Sequence, residues 1–455
     1  MAETKTQDRG TGSVKRKMVQ LAVPAVVAQV INLLYNIVDR IYIGHIPEIG
    51  AHALTGVGLF TPILMLITAF AMLAGSGGAP LAAIAMGRGE QDQAEKIMGN
   101  CFTVLLLMTV VLTGVFCAFI PELIRLFGGS GNTIPYGVSY GRIYSLGSVF
   151  VLVVMGMNPF ITTQGFAKIS MLTTVIGAVI NIILDPILIF ALDLGVAGAA
   201  IATVLSQAVS AVWILRFLTG KKTMLKLRFG NMILEPGVIL PCLGLGVSSF
   251  VMVSTESILS VSFTSSLFRY GGDVAVGAMT VLTSVNQVIS MPLVGICQGG
   301  QPLMSYNYGA GKLDRVKEAF LCQFTVCVSY ATVFWVLVQL FPSFFAGIFT
   351  NEQALVDYTA WAMRIFLAGC FSVGFQNSCQ QAFVALGQAK ISLFMACLRK
   401  LILLIPLIFI LPNFFQNKAM AVFLAEPVSD ILAAAAATTA FFLFFRRLMK
   451  TGKAE

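Results

Sequence analysis

Residues 101–120 read CFTVLLLMTVVLTGVFCAFI, twenty positions without a charged side chain. A helix rises about 1.5 Å per residue, so this stretch covers about 30 Å, the depth of a bilayer's hydrocarbon core. Working outward from it, comparable runs fall near 18–38, 54–78, 137–158, 170–191 and 195–217. A second set falls near 237–265, 275–300, 318–341, 354–376, 391–411 and 419–445. Only helices and closed barrels satisfy backbone polar groups in lipid. Barrel strands show about ten residues of alternating character, whereas these runs are continuous, so the expectation is helices. The composition agrees: 57% of the 455 residues are hydrophobic and 11% are charged, against about a quarter charged in soluble domains. A soluble globule, a disordered chain and a disulfide scaffold are excluded. The chain reads as an all-α membrane protein of 12 transmembrane helices. Its expected parts are a tail (1–17), a six-helix lobe (18–217), a linker (218–236), a second six-helix lobe (237–445) and a tail (446–455).

Cytoplasmic loops collect Lys and Arg, which sets the orientation. With the N-terminus inside, the inner segments hold about 21 of the 29 cations, including Lys15, Arg88, Lys168, Lys221, Lys312 and Arg446. The outer loops hold about 4: Arg40, Arg125, Arg269 and Lys418. Both termini are therefore expected in the cytoplasm, which requires an even number of spans. No small-residue cleavage site follows the first apolar run, so that run is read as a retained span. The net charge of +9 has the same origin. A nucleic-acid partner would need a basic face on a soluble domain, and none is expected. The nine cysteines lie almost entirely inside apolar runs and form no CxxC pair, which suits small buried hydrophobes.

The sequence repeats itself. Gly77-Gly78-Ala79-Pro80 aligns with Gly299-Gly300-Gln301-Pro302 at an offset of 222 (299 − 77). The same offset joins Gly87 and Gly89 to Gly309 and Gly311, Arg142-Ile143 to Arg364-Ile365, and Ala167-Lys168-Ile169-Ser170 to Ala389-Lys390-Ile391-Ser392. Each half holds six expected spans, so both enter the membrane in the same direction, a parallel repeat.

Polar residues inside lipid are functional candidates by default. In the first span, Gln29, Asn32, Asn36 and Asp39 are spaced 3, 4 and 3. At about 100° per residue they make one stripe about 80° wide, which must face protein or water. Interhelical hydrogen bonding would account for the amides, while the carboxylate favours a wet cavity. The fifth span carries Asn181 and Asp185, four apart, followed by Pro186; the sixth carries Thr203 and Gln207, also four apart. Such oxygens suit Na⁺, and desolvated carboxylates suit a proton. In the second half, Glu256, the stripe Thr283, Asn286, Gln287 and Ser290, and the pair Glu426 and Asp430 stand out. Glu256, Glu426 and Asp430 make either a second coupling site or structural pairs with Arg364, Arg399 or Lys400. Arg142 and Arg364 read as interface anchors. The 35 Phe and 20 Met suit a soft aromatic cavity, though packing explains most of them.

Enzyme signatures are missing. The two histidines, His45 and His52, form no HExxH, and no GxxxxGK[ST] is present. An enzyme is not expected, nor a cofactor, nor a metal beyond Na⁺ at the cation site.

The stretch Asn36-Ile37-Val38-Asp39-Arg40-Ile41-Tyr42-Ile43-Gly44 resembles the first-span signature of the multidrug and toxic compound extrusion (MATE) transporters. Asn181-Ile182-Ile183-Leu184-Asp185-Pro186 and Gly198-Ala199-Ala200-Ile201-Ala202-Thr203 resemble their fifth and sixth spans, and the Gly87…Gly89 and Gly309…Gly311 loops also match. The resemblance covers nearly the whole chain and is nearest to the bacterial multidrug branch. It implies two six-helix lobes in a V, alternating access, and export of bulky, often cationic drugs against inflow of H⁺ or Na⁺ across the plasma membrane. The family's cation-site positions fall on Asp39, Asn181, Asp185 and Thr203. Its drug-contact positions fall on Asn32, Tyr35 and Asn158, with Asn36 beside them on the stripe. One Na⁺-coupled branch carries a seventh-span Glu near Glu256. The expected partners are drugs, organic cations and the lipid bilayer, and the expected state is a monomer. A flippase for a lipid-linked saccharide is the alternative, and it would need cavity cations for phosphate. A passive channel ranks lower, because an intramembrane acid pair has no part in a simple pore.

Overall fold

The computed structural model describes residues 12–127, 129–349 and 353–451. Of the two expected tails, residues 1–11 and 452–455 lie outside the described residues. The described remainder is mostly helix, since α1 already starts at Val14 and the last helix runs to Thr451.

Among the described residues every element is helical. In the first half these are α1 (Val14–Gly44), α2 (Gly50–Arg88), α3 (Gln91–Leu126), α4 (Ile134–Leu146), α5 (Ser148–Thr163), α6 (Ala167–Pro186) and α7 (Gly195–Leu218). Then follow α8 (Pro236–Gly309), α9 (Leu313–Leu340), α10 (Pro342–Gly347), α11 (Gln353–Phe366), α12 (Phe371–Ala385), α13 (Ala389–Cys397), α14 (Ile405–Ile410) and α15 (Lys418–Thr451). Among the described residues, nine helices are long and apolar enough to cross a membrane, and two bent pairs add one span each. The 74-residue α8 is two helices joined at Gly272, whose φ of 65° breaks the run. Counting it as two gives the twelve spans expected.

The fourth and tenth spans are not the straight helices a hydropathy run suggests. α4 meets α5 at 57° and α11 meets α12 at 49°. Both bends hold a glycine, at equivalent repeat positions. A Cβ on Gly147 would strike the Val204 side chain, and one on Gly369 would sit 2.8 Å from the Pro427 backbone. The fifth and eleventh spans instead switch to π-helical turns, Ile187–Ala191 and Leu398–Leu404. The first follows Pro186, which supplies no N–H to the helical ladder. The repeat extends to backbone conformation: Gly89 and Gly311 take φ of 82° and 70°, and Gly165 and Gly387 take 93° and 71°. Left-handed residues at helix ends favour glycine because a Cβ would clash there.

α3 shows how the opening stretch is used. Leu105, Thr109, Leu112, Phe116 and Ile120 are buried at spacings of three and four. Leu107, Val110, Val111, Val115 and Phe119 are exposed, Val110 at 72%. Such an apolar outer face would drive aggregation in water and is at home in lipid.

Packing divides the described chain into two units. One is Val27–Val253, and the other joins Gly12–Val26 to the chain from Ser254 onward. The first turns of α1 and the start of α8 are thus each packed with the opposite half of the sequence. The exchange is made where glycine permits backbone contact. A Cβ on Gly77 of α2 would fall on the backbone of Cys242, and one on Gly299 of α8 would fall on the backbone of Ala22. Small residues are what let helices approach this closely in membranes.

The linker is held to the first unit. Gln164 Oε1 accepts from Thr223 Oγ1, Met224 N and Leu225 N at 2.8, 2.7 and 2.9 Å. Glu95 accepts from Lys226 N at 3.0 Å and pairs with Arg228 at 3.3 Å. Asn100 Oδ1 accepts from Glu235 N at 2.7 Å, and Thr103 Oγ1 donates to Met232 O at 2.7 Å. In the second unit the core is aromatic: Phe320 lies 4.1 Å from Phe441, which also contacts Phe383 and stacks on Phe445. Among the described residues, 11 of the 35 phenylalanines are buried and 12 are exposed. All nine cysteines are free.

Candidate functional site

α1, α6 and α7 bring the sequence-derived cation residues of the first unit into one neighbourhood. Asn181 and Asp185 sit one turn apart on α6 and are both buried. Asn181 Nδ2 donates to Asp185 Oδ1 at 3.3 Å and to Thr203 Oγ1 of α7 at 3.4 Å. Thr203 Oγ1 donates its own proton to Ala199 O at 3.0 Å, which leaves its oxygen as an acceptor. From α1, Asp39 interacts electrostatically with Asp185, and Tyr35 feels both carboxylates. Tyr140 of α4 lies near Thr203 and Asp39. It stacks on Tyr144 at 6.0 Å, and both rings meet Phe60 edge-on.

Four oxygens in this neighbourhood are buried with no hydrogen-bond partner among the described residues: Asp39 Oδ1, Asn181 Oδ1, Asp185 Oδ2 and Gln207 Oε1. Native proteins rarely leave buried acceptors unpaired. All four are acceptors, with no side-chain donor set against them, which is the complement of a proton or a small hard cation. Gln207 was read in the sequence only through its spacing from Thr203. Its Oε1 is buried without a hydrogen-bond partner one turn along α7 from Thr203.

The expected drug-contact residues divide. Asn32, Tyr35 and Asn36 lie on the same helix as Asp39, and Asn36 Nδ2 donates to Asn32 O at 2.7 Å. Asn158 of α5 gives its Nδ2 to Ser170 O at 3.3 Å. Its repeat counterpart Gln380 makes the equivalent bond to Ser392 O at 2.8 Å. Tying the fourth span to the fifth is therefore a structural task for Asn158, and its Oδ1 remains without a partner.

In the second unit the carboxylates are paired. Arg399 Nη2 lies 2.7 Å from Asp430 Oδ1 and 3.4 Å from Glu426 Oε1, and Lys400 Nζ bonds Glu256 Oε1. Of the three cations the sequence offered, Arg399 and Lys400 are thus the partners. Arg364 is placed by its carbonyl, which accepts from Gln339 at 3.1 Å. The stripe Thr283, Asn286, Gln287 and Ser290 is not buried. No group of three or more His, Cys, Asp or Glu able to hold a metal ion occurs among the described residues. What sequence reasoning missed is the clamp on the linker: Gln164, Glu95 and Asn100 bind segments 59 to 135 residues away that no local pattern connects.

Comparison with known proteins places these features in context. The MatE family model matches residues 24–187 and 247–410, one segment in each repeat. The chain is 24% identical over 407 residues to the multidrug export protein MepA of Staphylococcus saprophyticus, covering 89% of this chain and 88% of that protein. To the protein of the same name from Staphylococcus haemolyticus it is 23% identical over 426 residues, covering 92% of each. A multidrug resistance MATE family transporter solved in its outward-facing conformation superposes with a TM-score of 0.91 at 23% identity, over 98% of both chains. A MOP superfamily transporter from Pyrococcus furiosus gives 0.90 at 22%, over 98% of this chain and 99% of that one. At these identities the structures share the fold.

Proposed function

Since the chain belongs to the MatE family, we propose that it is a cation-coupled exporter of bulky, often cationic or aromatic drugs, working by alternating access. The observation that carries this reading is the set of unpaired buried oxygens on Asp39, Asn181, Asp185 and Gln207, beside Thr203. Relatives named multidrug export proteins support the substrate class. H⁺ or Na⁺ entering the cluster supplies the positive charge its acceptors lack. Asn32, Tyr35, Asn36 and Asn158 contact the drug, with aromatic faces and a nearby carboxylate favouring organic cations.

The coupling follows from Asp39 and the drug-contact residues sharing one helix. Neutralising Asp39 changes what α1 can hold, so ion occupancy favours one conformation and drug occupancy the other. The difference in ion affinity between the two states sets how far the equilibrium moves. The count of basic residues supports a multi-pass protein of the plasma membrane with both termini in the cytoplasm. A lipid-linked saccharide would need free cations for its phosphates, and Arg399 and Lys400 are engaged by carboxylates, which disfavours the flippase alternative.

The test is ethidium transport by inside-out vesicles under an imposed ΔpH or Na⁺ gradient, each alone. One gradient should drive transport by the wild type. Asp185→Asn should lose about tenfold or more, the scale of a lost hydrogen bond to a charged group. Undiminished transport by Asp185→Asn at equal expression would remove the cation-site assignment.

A further inference from the structure

The charged cluster of the second unit is built on the same helices of its repeat as the oxygen cluster of the first. Asp39 stands on the opening span, and so does Glu256, on α8 before Gly272. Asn181 and Asp185 stand on the fifth span just before its π turn, and Arg399 and Lys400 stand in the π turn of the eleventh. α7 starts at Gly195 and α15 at Lys418. At the repeat offset of 222, Glu426 and Asp430 fall within one residue of Thr203 and Gln207, while Glu256, Arg399 and Lys400 fall on Leu34, Gly177 and Ala178, one to two turns from Asp39 and Asp185.

The chemistry at the two places is opposite. In the first cluster, Asp39 Oδ1, Asn181 Oδ1, Asp185 Oδ2 and Gln207 Oε1 have no hydrogen-bond partner among the described residues, and the nearby cation is Arg40, next to Asp39. In the second, Arg399 and Lys400 are consecutive in the π turn and so point in different directions. Arg399 reaches α15, with Nε 2.8 Å from Asp430 Oδ1, and Lys400 reaches Glu256 on α8. Ser429 Oγ donates to Arg399 O at 2.9 Å, fixing the backbone there. Among the described residues, none of these carboxylates has a buried oxygen without a partner. The buried Lys400, Glu426 and Asp430 together with the partly buried Arg399 sum to zero formal charge. The surplus negative charge belongs to Glu256, whose side chain is 51% exposed. With Ser260 and Thr264, four residues apart, Glu256 forms a polar exposed face.

We propose that Lys400 and Arg399 are tethered cations, covalently held charges on the same helix of the repeat, one to two turns from the level at which the first unit takes a mobile ion. Ion coupling is thereby confined to the first unit, and Lys400 sets the ion stoichiometry. This rests on the reading of Asp39 and Asp185 as the ion site. Removing the ammonium would leave Glu256 facing a gap that a mobile cation can fill, so the second site is latent.

The experiment counts cations bound by the purified full-length protein in detergent, using radiolabelled sodium and, separately, proton release on adding ethidium. The wild type should bind one cation, lost in Asp185→Asn. Lys400→Gln should bind one more, and Lys400→Gln combined with Glu256→Gln should lose the gained site. A folded Lys400→Gln protein, monodisperse on size exclusion, that binds no more than the wild type overturns the proposal. Should that variant aggregate, the wild-type count decides. Two cations, one of them lost in Glu256→Gln, overturn the proposal alone. A count of zero overturns the ion-site reading of the first unit and this proposal with it.

Discussion

Thr203 shows how much one hydroxyl can carry. It takes an amide proton from Asn181 and gives its own to Ala199 O, so it positions an acceptor beside Asp185 at no cost in charge. Thr203→Val should weaken ion-driven efflux by about tenfold, within the ~1.5–3 kcal/mol of a hydrogen bond to a charged group. The ion concentration at half-maximal transport should rise while expression holds, and Thr203→Ser should keep wild-type behaviour. Arg399 behaves differently, because it holds two buried carboxylates. Arg399→Met should lower stability by about 3–5 kcal/mol, since breaking a buried ion network leaves uncompensated charge. Thermal unfolding in detergent measures it, and adding Glu426→Gln and Asp430→Asn should recover most of the loss. Unchanged melting in Arg399→Met would mean the network carries no such load. Asp39 and Asp185 were recognisable in the sequence because a carboxylate within an apolar run has few reasons to be there. Gln207 was read there only through its spacing from Thr203, because a lone amide on a helix often serves packing.

Elements acquire their roles through neighbours far away in the chain. The linker is a clamped strap, and Gln164 is its central anchor, accepting three donors with one oxygen. Each buried donor left unsatisfied costs about 1–3 kcal/mol, so Gln164→Leu should free the strap. Trypsin should then cut after Lys221, Lys222 or Lys226 several-fold faster than in the wild type, and equal rates would show that the clamp does not hold the segment. The glycine contacts of α2 and α8 make a paired prediction. Gly77→Val and Gly299→Val both force backbones apart, and overpacking costs about 1–3 kcal/mol. The two variants should lower the melting temperature by similar amounts, because the repeat places them equivalently. The helices themselves were legible from apolar runs, and their outer faces from the period of α3. The bends at Gly147 and Gly369 and the two π turns were not, since hydropathy averages over the residues that produce them.

For the protein as a membrane object, orientation rests on charge asymmetry, with about 21 cations on one side against about 4 on the other. A fluorescent protein at the C-terminus should therefore fluoresce, and alkaline phosphatase should be active when fused after Asn132 and inactive after Lys221. The opposite pattern would invert the topology. Hydropathy and the repeat offset were enough to establish twelve spans and two equivalent halves, because each is a property of short stretches or of stretches compared with one another. Tertiary structure alone decided that Lys400 meets Glu256 across 144 residues and Arg399 meets Asp430 across 31, while the oxygens around Asp185 remain without such partners. It also decided that the starts of α1 and α8 pack with the opposite half of the chain. The physical reason is that lipid sorts residues one helix at a time by their own polarity. Which charge neutralises which depends on the helices that packing sets side by side, and no local period records that choice.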